Sequence, residues 1–143
     1  MGIPASLDRF IDAQENKYEE AFNEIKAGKK QSHWMWYIFP QIAGLGLSEM
    51  AKFYAISDTQ EAQDYLEHPV LGPRLIHISK LLPGIKNKSA AEIFGSPDDL
   101  KLRSSMTLFS SLEKSDPVFQ EVLNRYFDGK KDEKTLAIIH RGL

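Results

Sequence analysis

The sequence contains no cysteine. That excludes thiolate nucleophiles, zinc–thiolate centres and a disulfide framework, and it makes a reducing cytoplasm the expected setting. No apolar run approaches the roughly 20 residues a membrane-spanning helix requires, and residues 1–5 have neither the basic nor the apolar region of an export signal. A soluble, cytoplasmic chain without a membrane partner is predicted. Charge of one sign is also lacking: 18 Lys and Arg stand against 20 Asp and Glu, a net charge of -2. Duplex nucleic acid is excluded as a partner on this ground, because neutralising phosphates takes a basic face. The pairs Lys29-Lys30 and Lys130-Lys131 are too short to supply one; both flank predicted helix ends, where cations suit the dipole. Of the four histidines, His33, His68, His77 and His140, no two have the i, i+4 spacing of a helical metal site. No metal is expected, and without a phosphate loop, dinucleotide fingerprint or G-x-S-x-G elbow no cofactor is expected either.

What is present is helical periodicity. At 143 residues the chain suits one domain, 1–143, with a single core. Leu7, Phe10, Ile11, Tyr18, Ala21, Phe22 and Ile25 recur at helical spacing between a capping Ser6 and a terminating Gly28, which predicts one long first helix. Further helices are expected over 34–39, where a strand is the alternative, and over 48–55. Ser57-Asp58-Thr59-Gln60 has capping-box spacing for a helix to Glu67, before Pro69. Leu71, Leu75, Ile78 and Leu82 form the next stripe, ended by Pro83-Gly84. Ser89-Ala90-Ala91-Glu92 is a second capping box, closed by Gly95. Ser96-Pro97-Asp98-Asp99 starts a helix to Glu113, Asp116-Pro117 starts another to Phe127, and a last covers 133–140. No segment shows convincing strand alternation. The expected fold is all-α, an irregular orthogonal bundle of about seven or eight helices.

Both tryptophans fall in His33-Trp34-Met35-Trp36-Tyr37-Ile38-Phe39-Pro40-Gln41. Four large aromatics in six residues exceed what one side of an element usually buries, so part of this stretch is expected to face a pocket. Gln14 occupies a position on the first helix where the apolar stripe demands a hydrophobic side chain; it is read either as a satisfied structural amide or as a pocket-lining one. Asp98, Asp99, Lys101, Arg103, Ser104 and Ser105 form a second polar concentration. Adjacent Asp98 and Asp99 point about 100° apart on a helix, which is no glycosidase pair. Ser104 and Ser105, in mid-helix among Leu102, Met106, Leu108 and Phe109, either permit close helix approach or turn a hydroxyl toward a ligand.

The chain resembles the family known as domain of unknown function 1810, small and mainly bacterial proteins that sometimes carry the label calpastatin. The resemblance rests on Arg9-Phe10 with Ala13-Gln14 and Tyr18; Gly28; Ser32-His33-Trp34-Met35-Trp36; Phe39-Pro40-Gln41; Gly44-Leu45-Gly46; Tyr54; Tyr65-Leu66; His68-Pro69; Leu71; Ile93-Phe94-Gly95; and Asp98-Asp99-Leu100-Lys101 with Ser104-Ser105-Met106-Thr107. It implies an all-α fold and no particular activity. Calpastatin would imply a disordered inhibitor, and this composition is that of a packed domain.

Two functions are expected from different classes. The first is a binder or hydrolase of a nucleotide-like or other planar polar molecule. In it Trp34 or Trp36 stacks, Gln14 and Gln41 read a polar edge, and Asp98, Lys101, Ser104 and Ser105 complete the ligand shell; His33 and Asp99 are the candidates for proton transfer. The second is a noncatalytic protein-interaction module using the 33–41 stretch as its contact patch, the protein being a monomer or weak homodimer.

Overall fold

A computed structural model describes residues 6–141. Ten α-helices occur among them: α1 (Asp8–Gln14), α2 (Tyr18–Lys26), α3 (Met35–Ile38), α4 (Glu49–Phe53), α5 (Thr59–Glu67), α6 (Leu71–Leu81), α7 (Ala90–Phe94), α8 (Asp98–Ser110), α9 (Pro117–Phe127) and α10 (Glu133–Arg141). A 3-10 turn, Leu82–Gly84, extends α6. The all-α expectation holds, with more helices than the seven or eight predicted. None is long and apolar enough to cross a membrane.

One of the additional helices comes from the first predicted one, which breaks at residues 15–17. The apolar spacing continues through the break, but α1 packs against α3 while α2 packs against α6. Tertiary contact splits what periodicity joins. The start of α5 also differs: Asp58 is the N-cap, its side chain accepting from Glu61 N–H at 2.8 Å, and Ser57 instead donates its N–H to the Glu61 carboxylate at 2.9 Å. At α8 the N-cap position falls on Pro97, without a side-chain cap, and the helix ends at Ser110 rather than Glu113. The capping box at Ser89 and Glu92 and the Asp116-Pro117 start both form as read. Residues 34–39 make a single helical turn rather than a strand.

α8 runs through the centre, touching α5, α7, α9 and α10. Leu102, Met106, Leu108 and Phe109 are fully buried, and so are Ser105 and Thr107, with Ser104 nearly so. From Ser104 to Phe109 every residue of α8 is buried, so this half of the helix has no solvated polar face, which accounts for its weak amphipathicity. Ser104 and Ser105 therefore lie where close packing puts them; Ser104 donates its hydroxyl to Leu100 carbonyl at 3.2 Å, one turn back.

A further device positions the site. Residues 41–56 leave the helical body and return to it. At their base Ala43 N–H donates to Ile56 carbonyl and Ile56 N–H to Gln41 carbonyl, each at 2.8 Å, a lone parallel bridge between Ile42 and Ile56. α4 lies inside this excursion, capped by Ser48. Arg9 of α1 ties it down, its guanidinium donating to the carbonyls of Phe53 at 2.9 Å and Ala55 at 2.8 Å and pairing with Glu61 at 3.0 Å.

Candidate functional site

The aromatic stretch is held from beneath by Glu24 of α2. One carboxylate oxygen accepts from Gln31 N–H at 2.7 Å, Ser32 N–H at 2.9 Å and Trp34 indole N–H at 2.9 Å; the other accepts the Ser32 hydroxyl at 2.6 Å. Burial alone raises the pKa of this carboxyl, but the bonds from Ser32, Gln31 and Trp34 outweigh it and hold the group below its ordinary value. Trp34 is 0% exposed, packed on Phe39 and Phe94, with the Lys30 ammonium 5.1 Å from its ring centroid. Met35, Tyr37, Ile38, Phe39 and Pro40 are buried too. This corrects two expectations: Trp34 is core rather than a stacking surface, and a stretch so covered cannot be an exposed contact patch.

Gln14 belongs to the same core. Its amide donates to Tyr37 carbonyl at 2.7 Å and to Tyr65 hydroxyl at 2.9 Å, and its oxygen accepts from Arg74 at 3.4 Å. All of its groups are engaged while the residue is 1% exposed, so the structural alternative describes it and the pocket-lining one does not. The Tyr65 hydroxyl is pushed well above the usual phenol range, first by complete burial, with the bond from Gln14 only partly opposing.

Trp36 differs from its neighbours in being only half-buried. With Gln41, Gly44, Gly46, Lys52 and Tyr54 it walls a cavity of about 170 Å³ between the aromatic stretch and the 41–56 excursion. The glycines are structural requirements here. A Cβ on Gly46 would stand 2.5 Å from Ala51 Cβ of α4, closer than carbon atoms pack, and Gly44 has φ +103°, in the left-handed half of the map. Tyr54 is fixed by ring contacts to Phe10, Tyr37 and Phe53. Lys52 is exposed and forms no ion pair among the described residues.

The polar group at the start of α8 reaches this neighbourhood. Asp98 pairs with Lys30 at 3.0 Å and with Lys101 at 3.4 Å, and the Lys101 ammonium sits 5.4 Å from the Trp36 ring centroid. Two segments more than 60 positions apart thus meet through Lys30, which sequence reasoning passed over as half of a solvated pair; its side chain is 8% exposed. Proton-transfer partners do not assemble in the same way. His33 is exposed and no hydrogen bond or ion pair joins it to Asp99, which is half-buried with Oδ1 lacking a partner. Ser105 is buried with its hydroxyl unbonded. Glu24, Lys52 and Tyr54 were also missed. Gly44 and Gly46 carried the signal for the cavity, two close glycines where α4 turns back, but glycine spacing by itself names no chemistry.

Fold and site together define a small all-helical protein with a ring-sized cavity beside a cation-flanked tryptophan. The chain belongs to the family described as Protein of unknown function (DUF1810), which matches residues 4–139. It is similar to the conserved hypothetical protein Rv1873 from Mycobacterium tuberculosis, known from a crystal structure: 45% identity, a TM-score of 0.93, and coverage of 96% of this chain and 99% of that one. No curated protein matches the chain. The family identification follows the resemblance carried by the 33–41 and 98–107 motifs and brings no activity with it.

Proposed function

We propose that this protein binds a planar polar ring of nucleobase kind between Trp36 and Tyr54, with Gln41 reading the polar edge and Lys52 meeting a negative substituent outside the cavity. The observation that carries this is Trp36, the one ring of a buried aromatic run that lines empty space. Size favours a ring alone: about 170 Å³ lies below the ~300–1,000 Å³ of pockets that enclose drug-sized ligands. A whole nucleotide leaves its sugar and phosphate at the mouth, where Lys52 is the unpaired cation. Lys101, already shared with Asp98 and lying near Trp36, is read as holding that ring's orientation. Binding is better supported than hydrolysis, since His33 and Asp99 share no bond.

The test is a thermal-shift and calorimetric screen of the full chain against nucleobases, nucleosides, nucleotides and sugar phosphates. A ligand specific to the folded state, present at 100 times its Kd, stabilises by about 2.7 kcal/mol. The shift is expected for ring-bearing compounds only and is lost in Trp36→Leu while the unliganded melting point changes little. A shift that survives Trp36→Leu sinks the reading. An interaction module, the rival function, has to use other residues than 33–41; Leu47, Met50 and Phe53, at 86%, 42% and 55% exposure, are the apolar surface that favours it. Light scattering giving a mass above one chain, reduced by Phe53→Ser, supports that rival.

A further inference from the structure

The cavity at Trp36 leaves unused a second polar region. Between α8 and the start of α10 lies a groove of about 690 Å³ lined by Leu100, Arg103, Lys130, Lys131, Lys134 and Leu136, together with Asp132 and Glu133. Its volume is in the range of small-molecule sites. Four of the lining side chains are cationic and two anionic. Asp132 is already committed: one oxygen faces Arg103 at 3.7 Å, and the other caps α10, accepting from Thr135 N–H at 3.0 Å and Thr135 hydroxyl at 2.6 Å. That cap neutralises the helix terminus, so the positive character of the groove comes from its side chains. Lys130, Lys131 and Lys134 form no ion pair among the described residues.

Arg103 is the charged lining residue that joins α8 to this groove. Arg103, whose guanidinium lies 5.9 Å from the Phe127 ring centroid, has its Nε buried and without a hydrogen-bond partner. One turn earlier on the same helix, Asp99 Oδ1 is also buried and unpartnered. Positions i and i+4 are neighbours on a helix surface, yet these two make no bond to each other. Arg103 Nε is itself closed to the groove, and what a polar guest meets there is the rest of this side chain, 30% exposed and shared only with Asp132 at 3.7 Å among the described ion pairs. Leu100, 49% exposed, and Leu136 offer carbon surface on the same groove.

We infer that this groove is a second ligand site, independent of the Trp36 cavity, that takes a small organic phosphate. The phosphate lies among Arg103, Lys131 and Lys134, where a planar guanidinium and mobile ammonium groups suit its oxygens, and the carbon body rests on Leu100 and Leu136. This gives the α8 polar cluster work that the cavity reading does not.

The test is nuclear magnetic resonance of the 15N-labelled full chain titrated with phenyl phosphate and with inorganic pyrophosphate, followed at the amides of 130–136 and at the Arg103 Nε–H. Both anions are expected to move these signals, and Lys131→Gln/Lys134→Gln, which changes one half-buried and one exposed lysine and keeps the unliganded melting point near the parent's, weakens binding about tenfold. Arg103→Gln is a second variant with a larger loss. The inference is overturned by unmoved signals in this region, by shifts confined to Trp36 and Lys52, by an affinity unchanged in the double lysine variant, or by a glutamate hexapeptide that binds where the phosphates do not.

Discussion

Replacing Glu24 by Ala tests how the aromatic stretch is held. The substitution removes the acceptor of four hydrogen bonds. Gln31 is exposed and Ser32 half-buried, so their N–H groups regain water and count for little. The Trp34 indole N–H belongs to a residue with 0% exposure and donates to Glu24. Leaving it unpaired costs about 1–3 kcal/mol, and losing the charge-assisted bond from Ser32 hydroxyl adds about 1 kcal/mol. The total expected loss is about 2–4 kcal/mol, measured by urea unfolding. At about 3 °C per kcal/mol for a chain of this length, the melting point falls by about 6–12 °C. Glu24→Gln keeps an oxygen for the indole and is expected to lose about 1 kcal/mol. The pH dependence carries a separate signature. The folded-state pKa of Glu24 lies below its unfolded value, so the stability it contributes is complete above the unfolded value, near 4.3, and is lost as pH falls through the folded value. Glu24→Gln therefore flattens the acid limb of the stability profile. A Glu24→Ala chain within about 0.5 kcal/mol of the parent, with Trp34 emission unchanged, refutes the bracing role.

Arg9→Met leaves the half-buried Glu61 beside an empty guanidinium site and releases two carbonyls of the 53–55 segment; a loss of about 2–4 kcal/mol, below the full cost of breaking a buried pair, is expected in urea unfolding, with greater quenching of Trp36 as the excursion loosens. Gly46→Ala forces its new methyl against Ala51, expected to cost about 1–3 kcal/mol and to abolish ring binding in calorimetry, with Ala51→Gly on the same chain restoring both. Ser105→Ala removes a buried hydroxyl that has no partner, so its effect on the unfolding free energy is expected within about 0.5 kcal/mol of zero or stabilising; a loss above about 1 kcal/mol would reveal a hidden bond.

Most helices were legible because their signals are local. The Ser89 capping box and the Asp116-Pro117 start act within one turn, so sequence and structure agree there. The break after Gln14 was not legible, because the residues on both sides keep one periodicity and only α3 and α6, distant in sequence, pull the halves apart. The site divides along the same line. That the 33–41 stretch borders a pocket followed from aromatic density, but which ring faces it depended on Glu24, whose carboxylate seizes the Trp34 indole and turns that ring inward. Lys30 looked like a solvated cation, and its role rests on Asp98, on a helix 68 positions later. Gln14 carried two readings, structural amide or pocket lining, and Tyr37, Tyr65 and Arg74, distant in sequence, supply the partners that decide between them.

The bridge between Ile42 and Ile56 makes the segment it closes an exchangeable cassette. Because the chain departs and rejoins the helical body at one pair of hydrogen bonds, a replacement of different length spliced between those two isoleucines meets the rest of the protein there, at the two carbonyls that Arg9 grips and through Tyr54, whose ring packs on Phe10 and Tyr37 and has to be kept. Doubling the length of a flexible loop costs only about 0.6 kcal/mol in closure entropy. One wall of the ring cavity can therefore be exchanged while Trp36, held by the helices, stays in place, and ligand preference is free to be redesigned by transplanting loops onto an unaltered scaffold.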